Sequence, residues 1–201
     1  MPLEKLADFF STYKAQVISS DEAVRAAVLC PLYVDGGELK ILFIKRSQTV
    51  KNHKGEISFP GGVRDSRDES LEATSTRETE EEIGVKSRDI TIFGGLDEIN
   101  TTTGFLVSPF IGTIPYPYPF RLSADEVDDL ISVPLDEFFH PRNEIDFFYF
   151  NGHQNSAQLA YHINGVTIWG ATAKIVWQII HLAKKYALFA QKTPAAYHFA
   201  S

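Results

Sequence analysis

Gly61-Gly62-Val63-Arg64-Asp65-Ser66-Arg67-Asp68-Glu69 is followed, seven residues later, by Arg77-Glu78-Thr79-Glu80-Glu81-Glu82-Ile83-Gly84-Val85. The paired glycines predict a turn, the stretch from about Asp68 to Ile83 has a helical pattern, and Gly84 is placed to stop it. Glu78, Glu81 and Glu82 then fall at i, i+3 and i+4 and share one helical face. Like charges at that spacing destabilise an isolated helix by roughly 0.2–0.5 kcal/mol per pair. Solvent offsets such repulsion on an ordinary acidic surface, which is the usual fate of a glutamate cluster. A hard divalent cation offsets it too. Mg²⁺ takes oxygen ligands and keeps several waters, and phosphate oxygens can take those waters' places.

Upstream of the glycines the charge reverses. Lys45, Arg46, Lys51 and Lys54, with His53 among them, fall within ten residues of a chain whose formal net charge is −7. A solvated strand end and loop accounts for this cluster as readily as a phosphate site does. The overall acidity is poorly suited to non-specific binding of nucleic acid or an anionic membrane, both of which rely on broad positive potential. An anionic small substrate is compatible with it if metal ions or a local basic patch reverse the field at the site.

Farther out, the pattern is that of one mixed domain. A helix is expected over Leu3–Val17, with Leu6, Phe9, Phe10 and Tyr13 on one side. Strands are expected at Val24–Val34 and Glu38–Lys45, divided by the hairpin signal Asp35-Gly36-Gly37, and a short extended piece at Glu56–Phe59 stops at Pro60-Gly61-Gly62. Ile90–Ile99, Phe105–Thr113, Val127–Val133, Glu144–Phe150 and Leu159–Trp169 follow as strands, the last broken by Asn164-Gly165. Ala171–Phe189 closes the series as an amphipathic helix. Strands with a few helices and no regular βαβ alternation indicate an α+β class, a mixed sandwich. The expected division is an N-terminal helical extension over 1–21, one domain over 22–190 and a tail over 191–201. Cys30, the sole cysteine, excludes an intrachain disulfide and a cysteine-based zinc site, and its apolar surroundings suit a core residue. Trp169 and Trp177 are expected in the core or packed on the sheet. No apolar h-region opens the chain and no run approaches the roughly 18–20 apolar residues that span a bilayer, so a cytoplasmic location is expected.

The acidic helix and its flanks resemble the Nudix box. Glu69, then Arg77-Glu78, Glu81-Glu82, Gly84 and Val85 stand at the family's spacing. Thr79 takes a usually aliphatic position, and one extra residue separates Gly62 from Glu69. The segment before it is similar to the signature of the coenzyme A diphosphatase branch: Leu42, Phe43, Arg46, Ser47, Gly55 and Phe59-Pro60-Gly61-Gly62 match, while Ile44, Lys51 and Glu56 depart from it. Lys51 keeps the charge of an expected arginine without its planar fork. Downstream likeness extends the match to roughly residues 22–185.

The resemblance implies a Nudix fold, an α/β/α sandwich with a mixed sheet and a loop–helix–loop catalytic motif. It implies Mg²⁺ or Mn²⁺ held by Glu78 and Glu82, with Glu81 as a further ligand or water-activating group. Arg77 would hold these carboxylates in place and Glu69 would support the loop. Arg46, Lys51, His53, Gly61 and Gly62 form the implied substrate-binding set. Glu126 is either an additional ligand or base, or the partner of Ser123 in a capping box. The implied reaction is metal-dependent hydrolysis of a phosphoanhydride in a nucleoside diphosphate derivative, foremost coenzyme A, giving 3′,5′-adenosine diphosphate and 4′-phosphopantetheine. ADP-ribose, a dinucleotide or an acyl-coenzyme A is the alternative substrate, and a non-catalytic nucleotide sensor the alternative function. The partner expected is this small nucleotide, with no nucleic acid and no membrane, and a homodimer is left open.

Overall fold

The computed structural model of the 201-residue chain describes residues 2–20, 22–50, 53–150 and 155–189. Strand β1 (Val24–Asp35) turns into β2 (Glu38–Arg46) through Gly36 and Gly37, both at positive φ, 59° and 82°. A two-residue hairpin turn needs that conformation twice, and glycine adopts it without a Cβ clash. β3 (Ile57–Ser58) pairs with β2, and β4 (Gly61–Val63) pairs with β1. Pro60-Gly61-Gly62 therefore does not end the extended segment but passes it from one neighbour to another. Leu29 N–H donates to Pro60 O and Arg64 N–H to Arg25 O, which carries the ladder across the glycines.

β5 (Thr91–Gly95), β6 (Ile99–Asn100), β7 (Phe105–Thr113) and β8 (Val127–Pro134) complete this sheet among the described residues. β7 runs parallel to β1 from Val24↔Phe105 to Leu32↔Thr113, while the other pairings are antiparallel, so the sheet is mixed. A second, antiparallel sheet holds β9 (Glu144–Phe150), β10 (Asn155–Ile163) and β11 (Val166–Trp169). Its Asn164-Gly165 turn takes φ of 51° and 80°, as the sequence signal requires.

Side-chain alternation along β1 and β2 feeds two cores. Cys30, Leu32, Ile41 and Phe43 meet Leu6 and Phe10 of α1 (Pro2–Thr12) and Ile175, Val176 and Ile179 of α3 (Gly170–Lys185). Leu29, Tyr33, Leu42 and Ile44 face the other way, onto Ile83 and Val85 at the end of α2 (Leu71–Ile83). With helices on both sides of the main sheet, this is the α/β/α sandwich expected.

Several elements depart from the sequence expectation. α1 ends at Thr12 because the next residues are claimed by a loop of the sheet: Tyr13 OH and Gln16 N–H donate to Asp97 Oδ1, and Ile18 N–H donates to Glu98 Oε2. Those same contacts explain why the run 90–99 splits into β5 and β6, since Asp97 and Glu98 lie between the two. Trp177 is not a core residue. It is 42% exposed and stacks on His181 with ring centroids 4.7 Å apart, whereas half-buried Trp169 packs on Phe147 at 5.2 Å. No helix among the described residues is long and apolar enough to cross a membrane. The tail 191–201 lies outside the described residues.

Candidate active site

The acidic helix begins at Leu71 rather than Asp68. Ser70 caps it, its hydroxyl accepting from Ala73 N–H at 3.0 Å. It stops at Gly84 (φ 77°), whose N–H donates to Glu80 O at 3.0 Å. Thr74, Ser75 and Thr79 form the buried face of α2, and small side chains there let the helix lie close to the sheet. The hydroxyl of Thr79, at the position where the family carries an aliphatic, donates to Ser75 O at 2.7 Å, so its burial leaves no unpaired donor.

Close approach explains both glycines of β4. A Cβ on Gly62 would stand 2.5 Å from each carboxylate oxygen of Glu78, and one on Gly61 would stand 2.6 Å from Val28 Cα. Gly61 N–H donates to Glu82 Oε2 at 2.9 Å. Glu82 is 3% exposed, and burial pushes its carboxyl up to about 8, with Gly61 N–H and Arg46 opposing the shift. Burial also raises Glu78, against the ion pair with Arg77 Nη1 at 2.8 Å. Glu126 adds a smaller upward push on both, which places its charge near theirs.

Arg77 ties the face together. Its Nη1 reaches Glu78 Oε1 and Glu81 Oε2, each at 2.8 Å, while Nε and Nη2 donate to Asp68 at 2.8 and 2.9 Å. Asp68 is buried, held well below the usual carboxylate range by Arg77, and accepts from Asp65 N–H and Thr74 Oγ1, each at 2.9 Å. Loop support was expected from Glu69. Glu69 is exposed, and its neighbour Asp68 makes the buried contacts instead. An aspartate three residues after Asp65 and two before a capping serine was the available sequence signal, since short acidic side chains bond local backbone N–H groups. Glu80, also in the acidic run, serves the fold: it accepts from Ser87 N–H and pairs with Lys86.

The other expected residues are divided. Arg46 Nη1 lies 3.9 Å from Glu82 Oε1, and its buried Nε has no hydrogen-bond partner. His53 is exposed, at φ 59°, with Nδ1 3.0 Å from Glu56 Oε2, so it is engaged within its own loop. Lys51 lies outside the described residues. Gly61 spends its N–H on Glu82 rather than presenting it to a substrate. Glu126 stands in a turn that leads directly into β8, so no helix follows Ser123 and the capping-box alternative falls away. Beside Glu81 a groove of about 520 Å³ opens between the end of α2 and residues 118–123, with Lys86, Tyr118 and Arg121 on its walls. That is large enough for part of a nucleotide-sized ligand.

The donor set fits a hard divalent cation. Glu78 and Glu82 offer only oxygens, burial raises both carboxyls, and the charge of Glu78 adds to the rise of Glu82, a repulsion that a bound cation would relieve. No three acidic or histidine side chains among the described residues already converge on one point. Mg²⁺ does not require that, because it is commonly held by one or two carboxylates together with waters and substrate phosphates.

Comparison with known proteins agrees with this arrangement. Residues 23–159 match the NUDIX domain family. A Nudix hydrolase of Photorhabdus laumondii named NudL, itself uncharacterized, is 31% identical over 182 residues, covering 87% of this chain and 95% of its own. Its counterpart of the same name in Cronobacter sakazakii is 31% identical over 185 residues, covering 89% and 93%. The crystal structure of a MutT/nudix family protein from Enterococcus faecalis shares the fold with a TM-score of 0.55 at 15% identity, over 91% of this chain and 70% of that one. With a Nudix domain over most of its length, a mixed sheet between helix layers and the acidic helix laid on its paired glycines, the chain belongs to the Nudix hydrolase family, enzymes that hydrolyse pyrophosphate bonds and in general need a divalent metal.

Proposed function

We propose that this hydrolase acts on coenzyme A, splitting its diphosphate into 3′,5′-adenosine diphosphate and 4′-phosphopantetheine. A divalent cation, Mg²⁺ or Mn²⁺, supplies charge neutralisation at the diphosphate and lowers the pKa of a water it binds. Glu78 and Glu82 are its ligands, anchored by Arg77 and by Gly61 N–H respectively. Glu81, the most exposed of the three, is a further ligand or takes the proton of the attacking water. Arg77 keeps Glu78 and Glu81 apart by a guanidinium instead of letting them repel. Glu126 is a fourth carboxylate at the same site. Water attacks one phosphorus in line, the bridging P–O bond breaks, and the departing phosphate carries away the bond's electron pair.

The observation that supports coenzyme A is Arg46. Its Nη1 lies 3.9 Å from the Glu82 carboxylate, and Lys51 and Lys54 follow it in sequence. A cation beside the diphosphate site, leading into a basic loop, suits a substrate that carries another phosphate. Coenzyme A differs from its dephospho form by that one group. A charged contact worth about 1.5–3 kcal/mol gives about a 10- to 150-fold preference in kcat/KM. The test compares both compounds, ADP-ribose and a dinucleotide with each metal, reading products by mass. Lys51→Ala is expected to remove much of the preference while leaving turnover of dephospho-coenzyme A nearly unchanged. Equal turnover of coenzyme A and its dephospho form would overturn the assignment in favour of a broader nucleoside diphosphate substrate.

A further inference from the structure

β2 ends in a bulge between Lys45 and Arg46 that sets Arg46 opposite Val127 at the start of β8. Just past that pair, Ser47 N–H donates to Glu126 O at 2.8 Å. Thr49 Oγ1 donates to Asp125 O at 2.9 Å and lies 2.9 Å from Ser47 Oγ, which in turn accepts from Thr49 N–H at 3.3 Å. Each hydroxyl has one proton to give. With Thr49 donating to Asp125 O, Ser47 donates to Thr49, and the chain runs in one direction from the buried serine to the turn. Ser47 is 3% exposed, so water does not compete for its bonds.

On its other side the turn is tied to the acidic helix. Ser123 N–H donates to Glu82 O at 2.9 Å, and Glu126 N–H and Val127 N–H close the turn on Ser123 O at 3.0 and 2.8 Å. Residues 123–126 are thus clamped between the carbonyl of Glu82 and the end of the strand that carries Arg46. The Glu126 carboxylate itself is exposed and makes no hydrogen bond among the described residues. Its placement depends on its backbone.

We propose that Thr49, oriented by Ser47, is a positioning residue for Glu126: the hydroxyl chain fixes the turn that carries this carboxylate and is bonded to the carbonyl of Glu82. The inference rests on the reading of Glu126 as a working carboxylate of the site. Misplacing such a group by about 1 Å can cost a hundredfold in rate, and losing one anchoring bond of several misplaces it by less.

The test is a double-mutant cycle with Thr49→Val and Glu126→Gln, measuring kcat and KM on the best diphosphate substrate with saturating Mg²⁺. Thr49→Val keeps the shape of the side chain and removes its donor. Its kcat is expected to fall about 5- to 10-fold, with KM changed less than about twofold, and Thr49→Ser is expected to restore it. In the Glu126→Gln background, Thr49→Val should cause no further loss. Independent, multiplying losses would overturn the proposal, as would a Thr49→Val enzyme of full activity beside a crippled Glu126→Gln. A lowered Tm in Thr49→Val that Thr49→Ser fails to correct, with kcat falling in step, would make the role merely structural and overturn it too. A fully active Glu126→Gln enzyme would remove Glu126 from the site and the proposal with it, leaving the assignment of Glu78 and Glu82 untouched.

Discussion

Replacing Gly62 by alanine puts a methyl group where the Glu78 carboxylate now lies. The new Cβ would stand 2.5 Å from both carboxylate oxygens, and ordinary van der Waals contact begins at 3.4 Å, so the group must retreat by about 0.9 Å (3.4 − 2.5). It is the far end of a flexible side chain, so it can swing aside at little cost to folding. Swinging aside, however, breaks its 2.8 Å contact with Arg77 and shifts it relative to Glu82, one turn along the same helix. A displacement near 1 Å at a reacting centre is worth about 10²-fold, or about 2.7 kcal/mol of transition-state stabilisation. Gly62→Ala is therefore expected to retain its Tm within about 2 °C, to lose about a hundredfold in kcat/KM, and to need more Mg²⁺ for half-maximal rate. Gly61→Ala is the contrasting variant. Its Cβ would meet Val28 Cα at 2.6 Å, and backbone cannot step aside, so overpacking of about 1–3 kcal/mol or more is expected. In a domain of this size that lowers Tm by roughly 2–4 °C per kcal/mol. Thermal melts and steady-state rates on both variants decide the matter. If Gly62→Ala matches the parent in kcat/KM, or if its activity falls only in proportion to its Tm, the argument that this glycine exists to admit Glu78 is wrong.

Two further outcomes follow from the same face. In the metal-free protein, Glu82 holds its proton up to about pH 8 when folded, against 4.5 for the ordinary side chain. The folded state then binds a proton that the unfolded state has released. Stability is therefore fully present below about pH 4.5 and falls as pH rises toward 8, by at most about 1.4 kcal/mol per unit. Glu82→Gln should flatten that slope in melts with EDTA and lower turnover by roughly 10²–10⁴-fold; a pH-independent Tm in the metal-free parent, or near-parental turnover by a folded Glu82→Gln, would contradict the geometry. Asp68→Ala leaves Arg77 with Glu78 and Glu81 but deprives Nε, Asp65 N–H and Thr74 Oγ1 of their acceptor, and should cost about 1–3 kcal/mol, whereas Glu69→Ala should be near neutral. Melting curves that rank the two the other way would return the loop support to Glu69.

By itself the sequence determined most of the elements and the face that the glutamates of the acidic helix share. Hairpins at Gly36-Gly37 and Asn164-Gly165, the strand Phe105–Thr113 and the helix stop at Gly84 follow from local rules, because positive φ, strand alternation and capping are decided within a few residues, whereas the parallel pairing of that strand with β1 does not. The shared face of Glu78, Glu81 and Glu82 follows from helical geometry alone. Tertiary structure decided what each of these residues touches. Pro60-Gly61-Gly62 becomes part of a strand because β1 offers it partners, and the helix beyond Thr12 gives way because Asp97 and Glu98 bind its backbone from more than seventy residues away. Asp68 rather than Glu69 supports the loop because of which side of it faces Arg77, and Glu82 differs from Glu81 because only one of them is pressed against Gly61. Propensity acts over one turn of chain, whereas burial and charge pairing depend on which distant surfaces meet.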